Sequence, residues 1–333
     1  MGATINDIAK KTGVSPSTVS RVINGTAKIS SSTKEKIYEA MNELNYHPNS
    51  IARSLAHGSS MTISLLIDAE NRPETFSNMF FSHSVFGIEK EAQRNGFNLL
   101  ISGYTDDEID SSIDSLILEK KTDGIIIPSS MSNARIIRKL NKDKTSYIVL
   151  GEPVECAEEC SWVDINNAQG SRLAVKHLKE RGYSKICFFG GNEKELFTQR
   201  RIDGFKSIVK EDDLIFPFSG TREDLEKKAE EILALYRVDS VICNDNRCAF
   251  AFMNAAARKG FSIPENLGVV TFDNYPLAEY MTPPLTVISV DTLTQGETAA
   301  AMLIQKIKEK SSNHQTLIST EIIERASTGK SNK

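Results

Sequence analysis

Cysteine is scarce in this sequence and long apolar runs are missing from it. Five cysteines (Cys156, Cys160, Cys187, Cys243 and Cys248) stand in 333 residues. An odd number excludes a closed disulfide framework, and Cys156 and Cys160 are spaced CxxxC with no CxxC or histidine pair to complete a zinc set. They read as free thiols, with Cys187 and Cys243 inside apolar strand-like runs. No stretch approaches the eighteen apolar residues that a bilayer crossing needs. The N-terminus has no basic segment followed by an apolar one, so no secretory signal is read and a cytoplasmic location is expected. GxGxxG is absent, since Gly190-Gly191 lacks the spacing, and so is GxxxxGK[ST]; neither dinucleotide nor nucleotide phosphates have their usual cradle. No nucleophile with a base and no acid–base pair is arranged by motif. No catalytic residue, cofactor or metal is therefore expected, which sets a sugar-processing enzyme aside. Repeats and low-complexity tracts are also lacking. The total charge of only −4 excludes a protein that coats nucleic acid along its whole surface.

That total hides an asymmetry. Residues 1–58 hold seven Lys/Arg against four acids, a net of +3, which leaves −7 for the rest. A small basic head on an acidic body suits a localised contact with a polyanion. Within the head, VSPSTVSRVING (Val14–Gly25) reads as a short helix. Ser15 is its N-cap, Pro16 fits its first turn, and Asn24-Gly25 ends it. At about 100° per residue, Val19, Val22 and Ile23 share one arc, while Ser17, Ser20, Arg21 and Asn24 share the other. Short hydroxyls with one long cation let a helix approach a polar, anionic surface closely. TINDIAKK (Thr4–Lys11) is a second helix, with Thr4 as cap and Asp7 in capping-box position. Thr12-Gly13-Val14 turns between them, giving a helix-turn-helix pattern. A third helix over about Ser31–Asn45 places Ile37, Ala40, Met41 and Leu44 on a stripe that closes a small core.

The length allows two or three domains. After Gly58, apolar runs alternate with amphipathic stretches. Strands are predicted at 62–68, 97–102, 124–128, 147–151, 185–190, 240–243 and 267–272, and helices at 85–94, 112–119, 167–181, 198–209, 222–236 and 246–259. Such alternation predicts parallel sheets covered on both faces, and about 270 residues of it predicts two α/β lobes rather than one. Ligands of such sheets sit beyond the carboxyl ends of strands. Here those ends carry Asp68-Ala69-Glu70, Ser129-Ser130, Gly190-Gly191-Asn192, Asn244-Asp245 and Asp273-Asn274.

TINDIAKKTGVSPSTVSRVING, with the following TKEKIYEAMNELNYHPN and IARSLA, resembles the head of the lactose-repressor (LacI/GalR) family of bacterial transcription regulators. The resemblance continues through DGIII (123–127), RxxGF (Arg201–Phe205), Asn244-Asp245, Phe272-Asp273 and ERAST (324–328), and covers essentially the whole chain. It implies an α-helical helix-turn-helix headpiece (1–48), a hinge helix and linker (49–60), and a core (61–333) of two doubly wound lobes like periplasmic binding proteins. The lobes are expected at about 61–162 with 291–320, and 163–290 with 321–333. Three crossings are expected near Trp162–Ile165, Ser289–Asp291 and Thr320–Ile322. It also implies a homodimer on pseudo-palindromic double-stranded operator DNA, acting as a repressor whose affinity a small molecule in the cleft modulates.

Carried over residue by residue, Pro16 and Ser17 match specificity positions, and Arg21 matches an arginine whose guanidinium fits guanine O6/N7. Thr4, Ser15, Thr18, Ser20 and Asn24 match residues near phosphates or base edges. Asn49 to Ala56 match the hinge helix, with Leu55 as the minor-groove wedge and Ala52 beside it; eight residues are too few for a stable lone helix. Arg201, Asn244 and Asp273 match the residues that hold the effector. Asp and Asn bonding to adjacent hydroxyls, and Gln199 standing where some relatives carry a second arginine, point to a neutral sugar. YMTPPLTVISVD (Tyr280–Asp291) resembles maltose-type regulators and hints at a gluco-oligosaccharide. Phe80, Phe81 and Phe197 are candidates to stack on a sugar ring, with core packing the competing role of each. The alternatives are a regulator of this fold governed by a partner protein, or a sugar-binding transport protein, against which the head argues.

Overall fold

A computed structural model of the chain describes residues 3–23, 29–46, 59–69, 79–105, 107–210, 214–309 and 312–329. Three helices form the head: α1 (Ile5–Thr12), α2 (Pro16–Ile23) and α3 (Ser31–Glu43). The Asp7 carboxylate accepts from the Thr4 N–H at 2.8 Å and from its hydroxyl at 2.7 Å, which fixes the start of α1. Gly13 ends it at φ +71°, a left-handed conformation that glycine adopts without strain. The Ser15 Oγ accepts from the Thr18 N–H at 3.2 Å, opening α2 as read. Helix α3 stops two residues earlier than expected, because Asn45 turns to φ +48° and the Tyr46 N–H closes on the Met41 carbonyl. Ile8, Ala9, Val19, Val22, Ile37 and Ala40 are buried together and hold the three helices.

The body continues with β1 (Thr62–Asp68), α4 (Met79–Arg94), β2 (Asn98–Tyr104), α5 (Ile109–Leu118), β3 (Gly124–Pro128), α6 (Ala134–Lys142), β4 (Tyr147–Leu150) and β5 (Trp162–Ile165). Then come α7 (Asn167–Glu180), β6 (Ile186–Phe189), α8 (Leu196–Lys206), β7 (Ile215–Phe216), α9 (Arg222–Leu235), β8 (Ser240–Cys243), α10 (Asn246–Arg258), β9 (Gly268–Phe272), α11 (Leu277–Tyr280) and β10 (Thr286–Ser289). The chain ends with α12 (Thr292–Glu309), β11 (Gln315–Ile318) and β12 (Glu321–Ile323).

Two six-stranded sheets result, ordered β11-β5-β4-β3-β1-β2 and β12-β10-β9-β8-β6-β7. Every pairing is parallel except β12 with β10. Continuous β-branched and apolar runs such as SLLI and GIII explain strands buried on both faces. The chain passes between sheets after β5, after β10 and after β11. Strand β5 pairs with β4 and β11, so residues 163–165 belong to the first sheet and the first crossing falls at Asn166. That corrects the expected boundary at 162. Helix α12 returns to the first lobe and lies against α4 so closely that a Cβ on Gly296 would stand 2.1 Å from the Ser84 carbonyl oxygen. Among the described residues, no helix is long and apolar enough to cross a membrane, and the five cysteines are free.

Candidate functional site

On the head, the polar face of α2 is open. Ser15, Pro16, Ser17 and Arg21 are exposed, with Thr18 and Ser20 half-buried, while Val19 and Val22 point inward. The hydroxyls form a local cluster: Ser15 Oγ lies 2.8 Å from Ser17 Oγ and 2.9 Å from Thr18 Oγ1. The Ser17 hydroxyl is thus bonded locally to Ser15 while it stays at the surface. Thr4 is exposed, and its bonds to Asp7 hold that carboxyl below the usual range. The Thr4 hydroxyl is thus spent on a cap, while its position remains at the surface. Asn24, Asn49, Ala52 and Leu55, with most of the expected hinge, lie outside the described residues, as does the start of the ENRPETFSNMFF stretch.

Between the lobes runs a cleft of about 1160 Å³, lined from both sides. Arg201, Asn244 and Asp273 all reach it, Asn244 and Asp273 from the carboxyl ends of β8 and β9 and Arg201 from α8. The structure brings the three together. Arg201 Nη1 donates to the Asn244 carbonyl, and Nη2 lies 4.0 Å from Asp273 Oδ1. The Arg201 guanidinium carbon stands 3.9 Å from the Phe272 ring centroid and 5.1 Å from that of Phe197, and Arg201 Nε donates to Asn167 Oδ1 at 2.9 Å. Arg201 is only 4% exposed. Much of its hydrogen-bonding capacity is used inside the protein, so it acts first as a buried positive post against which the site is built.

Asp273 sits at φ +72°, and its buried Oδ1 accepts no hydrogen bond. Burial pushes its carboxyl up to about 6, against the pull of Arg201 and with the help of the Asp245 charge. An acceptor held in that state is one that a ligand donor would satisfy. Asn244 is seated by the glycine turn after β6, where a Cβ on Gly191 (φ +87°) would stand 2.7 Å from its side chain. Asp245 caps α10, accepting from the Cys248 N–H at 2.9 Å.

The facing wall of the first lobe carries Ser129, Glu152, Asp164 and Gln295, with Phe80 and Phe81 from α4. Phe81 also packs into that lobe's core, whereas Phe197 is 38% exposed in the cleft. At the mouth, Arg200 grips Glu152 through Nε at 2.9 Å and Nη2 at 2.6 Å, one ion pair joining the lobes. Among the described residues, five carboxylates (Glu152, Asp164, Glu195, Asp245, Asp273) and three cations (Lys194, Arg201, Arg247) line the cleft, with Arg200 at the mouth paired to Glu152. Sequence reading missed Asn167, Asp164, Glu152 and Gln295. The only local signal was the Asn166-Asn167 pair, where one asparagine caps α7 and the other turns inward to Arg201.

Comparison with known proteins places this geometry. Residues 4–49 match the model of the lacI family of bacterial regulatory proteins, and residues 175–328 match a periplasmic binding protein-like domain. The HTH-type transcriptional repressor PurR of Vibrio vulnificus is 32% identical over 318 residues, spanning 92% of this chain and 93% of its own. PurR of Vibrio cholerae is 31% identical over 335 residues, spanning 97% of each. The chain belongs to the LacI family. It is a helix-turn-helix transcriptional regulator with a ligand-modulated core, as its motifs implied. Solved structures share the fold over nearly the whole length. A lac repressor dimer bound to operator and the anti-inducer ONPF superposes with a TM-score of 0.77 at 21% identity, covering 98% of this chain and 99% of that one. A complex of the regulator CelR with cellobiose gives 0.71 at 24%, with the same coverage.

Proposed function

We propose that this LacI-family regulator represses transcription in the cytoplasm as a homodimer on an inverted-repeat operator, and that a neutral sugar in the cleft modulates its operator affinity. The observation that carries the ligand class is the buried Asp273 Oδ1, which accepts no hydrogen bond, in a cleft whose described lining has more carboxylates than cations. An anionic effector would meet net repulsion there, whereas sugar hydroxyls donate to carboxylates and the apolar ring face lies on an aromatic such as Phe197. Arg201, Asn244 and Asp273 form the grip on the second lobe's side. A cleft of this volume leaves room for more than one sugar ring, consistent with the likeness of Tyr280–Asp291 to maltose-type regulators and with the cellobiose complex of CelR.

A thermal-shift panel on the full chain tests the ligand class. Mono- and disaccharides form one arm, and purine bases form the other because the curated relatives are PurR repressors. Stabilisation grows with the logarithm of ligand excess over Kd, so weak effectors show at millimolar concentration. A shift with a neutral saccharide and none with purines supports the reading; the reverse pattern replaces it.

A further inference from the structure

The grip described so far comes from the second lobe, yet closure needs an anchor in the first. Asp164 stands at the end of β5, two residues before the chain crosses between lobes, and lines the cleft from that side. Its Oδ1 accepts from the Ile165 N–H at 2.7 Å and faces Gln295 Nε2 at 3.5 Å. Gln295 is 1% exposed, lines the same cleft, and keeps its own Oε1 without a partner. Among the described residues, no cation forms an ion pair with Asp164 within 4 Å. A carboxylate that merely braced the crossing would gain nothing from facing a ligand-sized space.

We propose that Asp164 is the first lobe's anchor for the effector, accepting a ligand hydroxyl from the side opposite Asp273 so that both lobes close on one polyhydroxylated molecule. This rests on the neutral-sugar reading above. The electrostatics agree. Burial pushes the Asp164 carboxyl up to about 6, against the N–H groups of Glu152 and Ile165 and the charge of Arg201, with the Glu152 carboxylate adding to the rise. Asp273 is raised likewise by burial, opposed by Arg201 and reinforced by Asp245. Each wall of the cleft therefore carries a carboxylate raised by burial, Asp164 on one side and Asp273, with Glu195 beside it, on the other. A hydroxyl donor favours the ionised form, so effector binding releases protons, and affinity climbs as pH rises from about 5 to 7.

The isosteric variant Asp164→Asn tests this in the full chain by two readouts. The first needs no ligand. A carboxyl raised in the folded state binds protons more tightly than in the unfolded chain, so its ionisation makes stability fall as pH rises from about 4 to about 6. Asp164→Asn should then melt about 2–4 °C above the wild type at pH 7.5 and lose that advantage near pH 4.5. The second is calorimetry with cellobiose and with maltose at pH 5.5 and 7.5. Asp164→Asn should lose about tenfold in affinity at pH 7.5, since charge-assisted bonds are roughly twice as strong as neutral ones, and should show a flatter pH dependence. A variant that melts lower at both pH values, or binds either sugar with wild-type affinity and pH slope, overturns the proposal and makes Asp164 a brace. If the wild type binds neither sugar, the sugar reading fails and the anchor role of Asp164 fails with it, whereas sugar binding that Asp164→Asn leaves unchanged overturns the anchor alone.

Discussion

Arg21 and Arg201 show how one residue type serves two ends of the molecule through opposite surroundings. Arg21 is exposed on α2 among short hydroxyls, free to fork onto a guanine. Arg21→Ala is expected to cost about 1–3 kcal/mol of operator binding and to relax preference at one base per half-site. Binding measured across an operator mutant set checks this; an equal loss on every sequence would assign Arg21 to phosphate. Arg201 is buried, stacked on Phe272 and bonded to Asn167. Asn167 also donates to the Ile165 carbonyl at 3.2 Å, tying the post to the first crossing. At the other side of that post, Asp273→Ala should leave basal operator binding within about twofold and abolish the effector response, because a ligand shifts an equilibrium only through differential contacts. Gel-shift titrations with and without ligand decide it, and a normal response would move the ligand site elsewhere.

Helices α4 and α12 carry the tightest packing among the elements. A Cβ on Gly87 would lie 2.2 Å from the Leu293 carbonyl oxygen, and one on Gly296 2.1 Å from that of Ser84. Gly296→Ala must push two backbones apart and should destabilise the first lobe by about 1–3 kcal/mol, seen as a lower denaturant midpoint; an unchanged midpoint would mean that the helices part freely. This pairing was not legible in the sequence. Strands such as β1, β3 and β8 were, down to their ends, because unbroken apolar runs bounded by turn residues mark them locally. The head was legible too, since caps and stripe lie within a few residues of each other. Which sheet a segment joins is a long-range fact. Nothing local in 292–309 or 162–165 says that these residues return to or remain with the first lobe. Of the site, the motif positions Arg201, Asn244 and Asp273 come together at the cleft, and their hold on an effector is the reading proposed above. The spending of Arg201 on internal partners, and Asp164 opposite it, depend on residues distant in sequence.

For the whole molecule, the proposed function rests on turning a ligand contact into lobe closure and lobe closure into a new spacing of the two heads of a homodimer. The Arg200–Glu152 pair bridges the cleft mouth. Arg200 is 44% exposed at its side chain, so the pair is worth at most about 1 kcal/mol. Arg200→Ala should therefore weaken effector binding by no more than about fivefold while leaving ligand-free operator affinity unchanged; a larger loss in calorimetry would make Arg200 a direct ligand contact. At the other end of the proposed relay, Leu55→Ala in the expected hinge segment should reduce operator affinity and DNA bending with effector binding unaltered. The most direct test of the central claim is an operator titration with and without effector. DNA selected from a random pool by the full chain is titrated at about 150 mM salt, with and without the saccharide that stabilises the core. The account predicts an inverted repeat bound far more tightly than random DNA, and at least a tenfold change with ligand, which needs only about 1.4 kcal/mol of differential binding. Equal affinity for selected and random DNA, or an operator affinity indifferent to a ligand that demonstrably binds, would contradict it.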